Sequence, residues 1–125
     1  WLKCVDIIQV NETEFFTLSN KSIEKEIIKE LFSFGLKGII ITMADKGIKA
    51  FFNNNGNIDK QEIKSLKIEQ KNSVGCGDVF GSAFFYHYCK TNIFFDSANK
   101  ANKTAGLFAS CSTIEEFKSL INREQ

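Results

Sequence analysis

The chain has 125 residues, of which 43% are hydrophobic and 25% are charged. This is an ordinary globular composition in enough chain for one domain. Sixteen basic residues against fifteen acidic ones leave a net charge of +1, which argues against a surface built to bind nucleic acid. No apolar run approaches the roughly 20 residues that a membrane span needs. We therefore expect neither nucleic-acid nor membrane partners.

The cysteines and the first residue bear on where the protein works and how much of it is present. Four cysteines stand far apart with a single His, which favours reduced thiols in a cytoplasmic protein over a disulfide framework or a zinc site. The chain opens on Trp1, with no initiator Met and no signal-peptide pattern. We expect a portion of a longer cytoplasmic protein.

The front of the chain is predicted to alternate strands and helices. Residues 5–10 are short, β-branched and apolar, as in a buried strand. Asn11 is a candidate cap for a short helix over 11–18, and residues 22–34 carry apolar side chains at the 3.6-residue period of an amphipathic helix. Further strands are predicted at 37–42, 48–52 and, with weaker alternation, 63–68, with an Asn-rich turn at 53–57.

The second half is predicted to be helical. A glycine-punctuated loop over residues 71–78 precedes an apolar helix at 79–89, and two more helical patterns occupy 94–110 and 113–122. With the strands in front, these elements predict an α/β domain whose mainly parallel sheet is flanked by helices.

The loop before the first of these helices, Gly75-Cys76-Gly77-Asp78, carries the strongest chemical signal. Glycine permits positive φ and lets a ligand approach the backbone closely. The first N–H groups of a helix have no acceptor within it, and the helix dipole adds positive partial charge there. Gly75, Cys76 and Gly77 are therefore candidates for an anion hole around a phosphoryl group. Asp78 is a candidate base that accepts the proton of an attacking hydroxyl.

Taken alone, this loop is more often a turn followed by an Asp N-cap than a ligand site. However, residues 72–84 resemble the second signature of the ribokinase-like (PfkB) carbohydrate kinases, Asp-Thr-Thr-Gly-Ala-Gly-Asp before a small-residue helix. Three other stretches resemble the same family in the same order. They are residues 5–8 with Asn11 and Glu14 (a strand and Asn-x-x-Glu), residues 40–47 (Thr-Leu-Gly-x-x-Gly) and residues 98–105 (a late helix whose Asn borders adenine).

The resemblance implies a ribokinase-like fold, which is a Rossmann-like arrangement of three layers, here as a partial domain. Residues 1–125 would be the nucleotide-binding and catalytic C-terminal portion, without the N-terminal sugar-binding and lid portion. The implied activity is ATP-dependent transfer of the γ-phosphate to a sugar hydroxyl. The isolated segment is expected to be inactive, because nothing would hold the acceptor near Asp78. The complete protein is a candidate homodimer, since relatives often dimerise through the lid.

The resemblance also assigns roles to individual residues. Asp78 would be the catalytic base, and Gly75, Cys76 and Gly77 would hold the γ-phosphate. Asn11 and Glu14 would orient Mg²⁺ through water, Thr42 and Gly47 would lie along the phosphates and ribose of the nucleotide, and Asn102 would line the adenine pocket.

Some positions depart from the family pattern. Asn72 and Val74 replace the usual Asp and Thr, which leaves activation by a monovalent cation doubtful. Ala44 replaces a Gly and would restrict the nucleotide turn if this position needs φ above zero. Cys76 replaces an Ala and is a candidate for oxidation.

Other functions stay open on the sequence. The same fold would suit a nucleoside or vitamin-precursor kinase, or a catalytically silent module that senses a sugar or a nucleotide. A receiver-like signalling domain is a further alternative, although it would need an acidic cluster after its first strand.

Overall fold

The computed structural model describes residues 1–66, 71 and 74–124, which form two compact units. The first unit comprises Trp1–Met43 and Ile48–Glu62, and the second comprises Ala44–Gly47 and Ile63–Gln125. In the described residues no helix is long and apolar enough to cross a membrane. The elements, in chain order, are a short 3-10 helix Leu2–Cys4, β1 Ile7–Asn11, α1 Glu12–Phe15, α2 Glu24–Ser33, β2 Gly38–Thr42, a second 3-10 helix Ala44–Lys46, β3 Ile48–Asn54, β4 Asn57–Ile63, α3 Cys76–Thr91, α4 Phe94–Ala109 and α5 Ile114–Glu124.

The sheet of the first unit has the strand order β1-β2-β3-β4. β1 and β2 are parallel, as the intervening α2 allows, because a parallel connection needs a crossover of about a dozen residues or more. β2 and β3 are antiparallel, since residues 43–47 are too few for a crossover. The predicted α/β class is confirmed, and within the described residues the sheet is mixed.

The core of the first unit lies between α2 and the central strands. The buried side chains of α2 are Ile27, Ile28, Leu31 and Phe32, which is the 3.6-residue pattern seen in the sequence. Four of the five residues of β2 are buried as well, which explains its continuous apolar run.

β4 begins six residues earlier than expected. The pattern at 63–68 predicted a strand, but the strand is Asn57–Ile63, and residues 64–66 are irregular; residues 67–70 lie outside the described residues. Positive φ angles at Asn55 (53°) and Gly56 (95°) form the tight turn between β3 and β4. Every residue of β4 but the last is exposed, so its sequence has no apolar alternation to detect.

The second unit is built on α3 and α4, which pack through aromatic and small side chains. The rings of Phe84 and Phe94 meet edge to face with centroids 5.6 Å apart. Ala98 and Ala101 are fully buried on α4, where small side chains permit close approach. α5 joins through Phe117, whose ring lies 5.1 Å from that of Phe108.

An ion pair between Lys49 of β3 and Glu24 at the start of α2 yields a pH-dependent prediction. The two atoms, Nζ and Oε1, lie 2.8 Å apart, and this hydrogen bond raises the pKa of Lys49 above 10.5. A raised pKa means that the stabilisation is complete below 10.5 and is lost as pH rises through the higher folded value. Lys49→Met should lower the free energy of unfolding by about 0.5–1 kcal/mol at pH 7. Urea unfolding of both proteins at pH 7 and above pH 11 checks it, and a pH-independent difference would contradict the ion pair.

Candidate active site

The strand-end residues predicted from the sequence meet at one edge of the sheet in the first unit. Asn11 and Thr42 are the last residues of the parallel strands β1 and β2 and lie opposite each other in register. The Thr42 hydroxyl donates a hydrogen bond of 3.4 Å to the carbonyl of Val10. Carboxyl ends of parallel strands are where open α/β sheets bind ligands.

Asn11 and Glu14 form a reciprocal cap at the start of α1. Oδ1 of Asn11 accepts from the backbone N–H of Glu14 at 2.8 Å, and Oε2 of Glu14 accepts from the backbone N–H of Asn11 at 3.0 Å. This capping box confirms Asn11 as a helix cap and gives Asn-x-x-Glu a structural role of its own. It also holds an exposed carboxylate and an exposed amide at a fixed spacing beside Thr42.

This donor set fits the Mg²⁺ ion that the family resemblance implies. Mg²⁺ keeps several waters and binds one or two carboxylates together with substrate phosphates. Among the described residues, no group of three or more His, Cys, Asp or Glu side chains could hold a metal by itself. One carboxylate at Glu14 and an amide at Asn11 suit a hydrated ion instead.

The glycine-rich loop leads into α3 earlier than the sequence suggested. The helix begins at Cys76 and not at residue 79, and Gly75 is its N-cap, with a φ of 86° that favours glycine. Asp78 is therefore the third residue of the helix, in its first turn. It is not the helix N-cap, which was the purely structural role considered for it in the sequence. The predicted helix began too late because Gly77 and Gly81 are poor helix formers, which made residues 76–78 look like part of the loop. The prediction about Asn72 concerns a position that lies outside the described residues.

Asp78 is exposed and lines a groove of about 720 Å³ within the second unit. Its lining is largely apolar with several polar side chains, a combination common in small-molecule sites. The other lining residues are Val79, Ser82, Ala83, Tyr86, His87, Lys100, Lys103, Thr104, Leu107, Phe117 and Ile121.

The charge of this groove depends on His87, Lys100 and Lys103 together with Asp78. Burial lowers the pKa of His87 below 6.5, with a smaller contribution from the charge of Lys100, so the imidazole is neutral at pH 7. Lys100 forms an ion pair of 3.1 Å with Asp96 one helical turn away. Lys100 and Lys103 were not among the predicted site residues, although their spacing of three places them on one face of α4.

Cys76 is a poor candidate for oxidation. Burial raises the pKa of its thiol above 9.0, and the thiolate is the reactive form. At neutral pH this side chain is protonated, which argues against the redox sensitivity expected from its position.

The turn between β2 and β3 contains two residues with positive φ, Ala44 at 51° and Gly47 at 99°. Gly47 is buried, and a Cβ there would come within 2.8 Å of the Cα of Lys64 and the nitrogen of Ser65. The shape of the turn thus depends on glycine at 47. At 44 the family's glycine has been replaced at a position that does need φ above zero.

Ala44→Gly should therefore stabilise the protein. A non-glycine residue in the left-handed region costs about 1–2 kcal/mol, and the greater freedom of glycine in the unfolded chain offsets part of the gain. We expect the free energy of unfolding to rise by about 0.5–1 kcal/mol, measured by urea titration. A neutral or destabilising result would show that Ala44 carries no strain.

Asn102 lies on α4 and is buried, with 8% of its surface exposed. Its Nδ2 donates a hydrogen bond of 2.8 Å to the backbone carbonyl of Lys64, 38 residues earlier. The sequence could not predict Lys64 as the partner of Asn102, because every residue type has the same backbone carbonyl.

The predicted site residues fall into two groups. Asn11, Glu14 and Thr42 belong to the first unit, and the others belong to the second. That second group comprises Gly47, Gly75, Cys76, Gly77, Asp78 and Asn102.

Comparison with solved structures identifies the fold as that of the ribokinases. One match is an E. coli protein described as a putative ribokinase II in complex with ATP and Mg²⁺, with 22% sequence identity and a TM-score of 0.80. The match covers 98% of this chain and 41% of the E. coli chain. Ribokinase from Thermotoga maritima is 19% identical with a TM-score of 0.79, and the match covers 97% of this chain and 43% of that ribokinase. Arabidopsis thaliana ribokinase, complexed with ribose and ATP, is 21% identical with a TM-score of 0.78, and the match covers 97% of this chain and 41% of that ribokinase. The chain spans about two fifths of the length of these proteins.

The family model of the pfkB family carbohydrate kinases matches residues 1–117. The chain therefore belongs to the pfkB family, as the four motifs predicted. None of the curated proteins matches it significantly.

Proposed function

We propose that this chain is the nucleotide-binding and catalytic portion of a kinase that transfers the γ-phosphate of ATP to a hydroxyl of a sugar. The observation that carries the proposal is the position of Asp78. It stands in the first turn of a 16-residue helix, directly after Gly75-Cys76-Gly77, and it lines an open groove. The family match over residues 1–117 supports reading this loop as the second signature.

The chemistry follows from the helix N-terminus and the carboxylate beside it. In the transfer, the acceptor oxygen bonds to the γ-phosphorus, the bond from that phosphorus to the β–γ bridging oxygen breaks, and ADP leaves. Asp78 takes the proton that the acceptor hydroxyl gives up. The α3 dipole places positive partial charge at Gly75, Cys76 and Gly77, where the transferring phosphoryl group carries negative charge.

The donor side is proposed to consist of the residues that match the nucleotide and magnesium motifs of the family. Thr42 and Gly47 would lie along the phosphates and ribose, and Asn102 would border the adenine. Asn11 and Glu14 would hold hydrated Mg²⁺, which neutralises phosphate charge when bound.

The acceptor side is proposed to lie in an N-terminal portion that this chain does not contain. The ribokinases compared above are more than twice as long as this chain. Without groups that position the acceptor, the effective concentration of its hydroxyl near Asp78 would be very low. Activity therefore has to be measured on the complete polypeptide.

The test is a transfer assay with the complete polypeptide, Mg²⁺ and ATP against a panel of sugars, nucleosides and vitamin-precursor alcohols. We expect phosphorylation of at least one sugar. Phosphorylation confined to nucleosides or vitamin precursors would replace the sugar with another acceptor class, and nucleotide binding without transfer would indicate a silent sensor. Pyrophosphate is included as a donor, because one solved structure of this fold is a pyrophosphate-dependent kinase in the ribokinase family.

A further inference from the structure

Residues 63–66, which we call the connector, comprise the last residue of β4 and the three residues after it, and they contact two other parts of the second unit. The carbonyl of Lys64 accepts the hydrogen bond from Asn102, and the side chain of Leu66 lies over Gly106 of α4. On its other side, the Ser65 hydroxyl donates to the carbonyl of Asp45 in the β2–β3 turn. The connector therefore bridges α4 and that turn.

The contact at Gly47 makes this bridge close-packed. The backbone of the connector fills the space that a side chain at 47 would occupy, with Lys64 Cα and Ser65 N within 2.8 Å of an added Cβ. A displacement of Lys64 would remove the surface against which Gly47 rests. The turn and the connector are thus expected to move together.

Asn102 is the polar contact that fixes the connector to α4. Its amide is buried beside Ala98 and Ala101, and the described residues contain no buried side-chain nitrogen or oxygen without a hydrogen-bond partner. Removal of one partner from such a buried pair is costly, because the group left behind loses its hydrogen bond and does not regain water.

We propose that Asn102 is a positioning residue for the donor, acting through the carbonyl of Lys64 and the connector on the Gly47 turn. This inference rests on the proposed function, which places that turn along the phosphates and ribose. Beside the contact with adenine proposed above, it assigns Asn102 an indirect effect on nucleotide affinity through the backbone, and the Ser65 variant below tests this indirect effect separately.

The test compares Asn102→Asp and Asn102→Leu with the same changes at Asn99, in the complete polypeptide. Asn99 is the matched control, because it lies on α4 three residues earlier and is exposed. Neither Asp nor Leu can donate to Lys64. We expect the KM for ATP to rise about tenfold in the Asn102 variants, with kcat and the acceptor KM within about twofold, and no change in the Asn99 variants.

This pattern separates positioning from a purely structural role. A variant that is partly unfolded contains fewer active molecules, which lowers the apparent kcat and leaves the KM for ATP unchanged. A fall in kcat alone would therefore overturn the proposal, as would an unchanged KM for ATP.

Ser65→Ala tests the same connection from the other side and does not disturb α4. It should raise the KM for ATP in the same direction. The double variant with Asn102→Asp should raise it by less than the product of the two single effects, since both act on one segment. Independent, multiplicative effects would contradict a shared connector.

Failure of the proposed function gives a different result. If wild type transfers phosphate to no acceptor but binds a fluorescent ATP analogue, weaker binding by the Asn102 variants, but not the Asn99 variants, still supports the positioning role. Equal binding by all proteins overturns it. If wild type binds no nucleotide at all, both proposals are wrong.

Discussion

Asp78→Ala in the complete polypeptide is expected to lower kcat for phosphoryl transfer by roughly 10²–10⁴-fold, the usual contribution of a general base. ATP binding should stay within about twofold, because the variant keeps the backbone of the first turn of α3. Rapid-quench measurement of a single turnover gives the chemical step, and equilibrium titration with a fluorescent ATP analogue gives the affinity. A sensor of the same fold would keep its ligand response.

Two controls make this result specific. Asp59→Ala removes an exposed carboxylate from β4 and should leave both kcat and affinity unchanged. Asp78→Asn keeps the size of the side chain and should lose nearly as much kcat as Asp78→Ala, since an amide cannot accept the proton. If either Asp78 variant retained more than a tenth of the wild-type kcat, the base would have to be another group.

The stability of these variants distinguishes catalysis from helix capping. An acid in the first turn of a helix contributes about 0.3–1 kcal/mol through the dipole. Gly75, and not Asp78, is the N-cap, so we expect Asp78→Ala to unfold with little change in midpoint. If Asp78→Ala lost much of its stability together with its kcat, the role of Asp78 would be structural and not catalytic.

Where burial is one-sided or complete, the sequence was sufficient to predict the fold. Ile27 and Leu31 repeat with the helical period because α2 buries one face, and β2 is uniformly apolar because it is a central strand. β4 is an exposed edge strand, and its hydrogen bonds are made by the backbone. The only feature of β4 that the sequence predicts is the Asn-Gly turn that precedes it.

The candidate site was predictable to the extent that it consists of motifs. Asn11 and Glu14 were found by their spacing, but the same spacing produces the capping box that the structure shows. A motif alone cannot separate a helix cap from a metal ligand. The bond from Asn102 to Lys64 could not have been found, since its acceptor is a carbonyl that every residue carries.

Gly47→Ala is expected to have the second largest effect, a loss of about 2–4 kcal/mol in the free energy of unfolding. Part of the loss is backbone strain at a φ of 99°, and part is the collision of the new methyl group with the backbone of Lys64 and Ser65. Both neighbours are backbone atoms, so no rotamer change can relieve the contact.

Gly35→Ala isolates the collision from the strain. Gly35 follows α2 with the same φ of 99°, but nothing lies within 4 Å of an added Cβ. This variant should lose only the strain, about 1–2 kcal/mol. Urea unfolding of both variants measures the difference, which is the free energy of packing the turn against the connector. Equal losses at the two positions would mean that Gly47 does not pack against residues 63–65, and the route from Asn102 to the turn would then be broken.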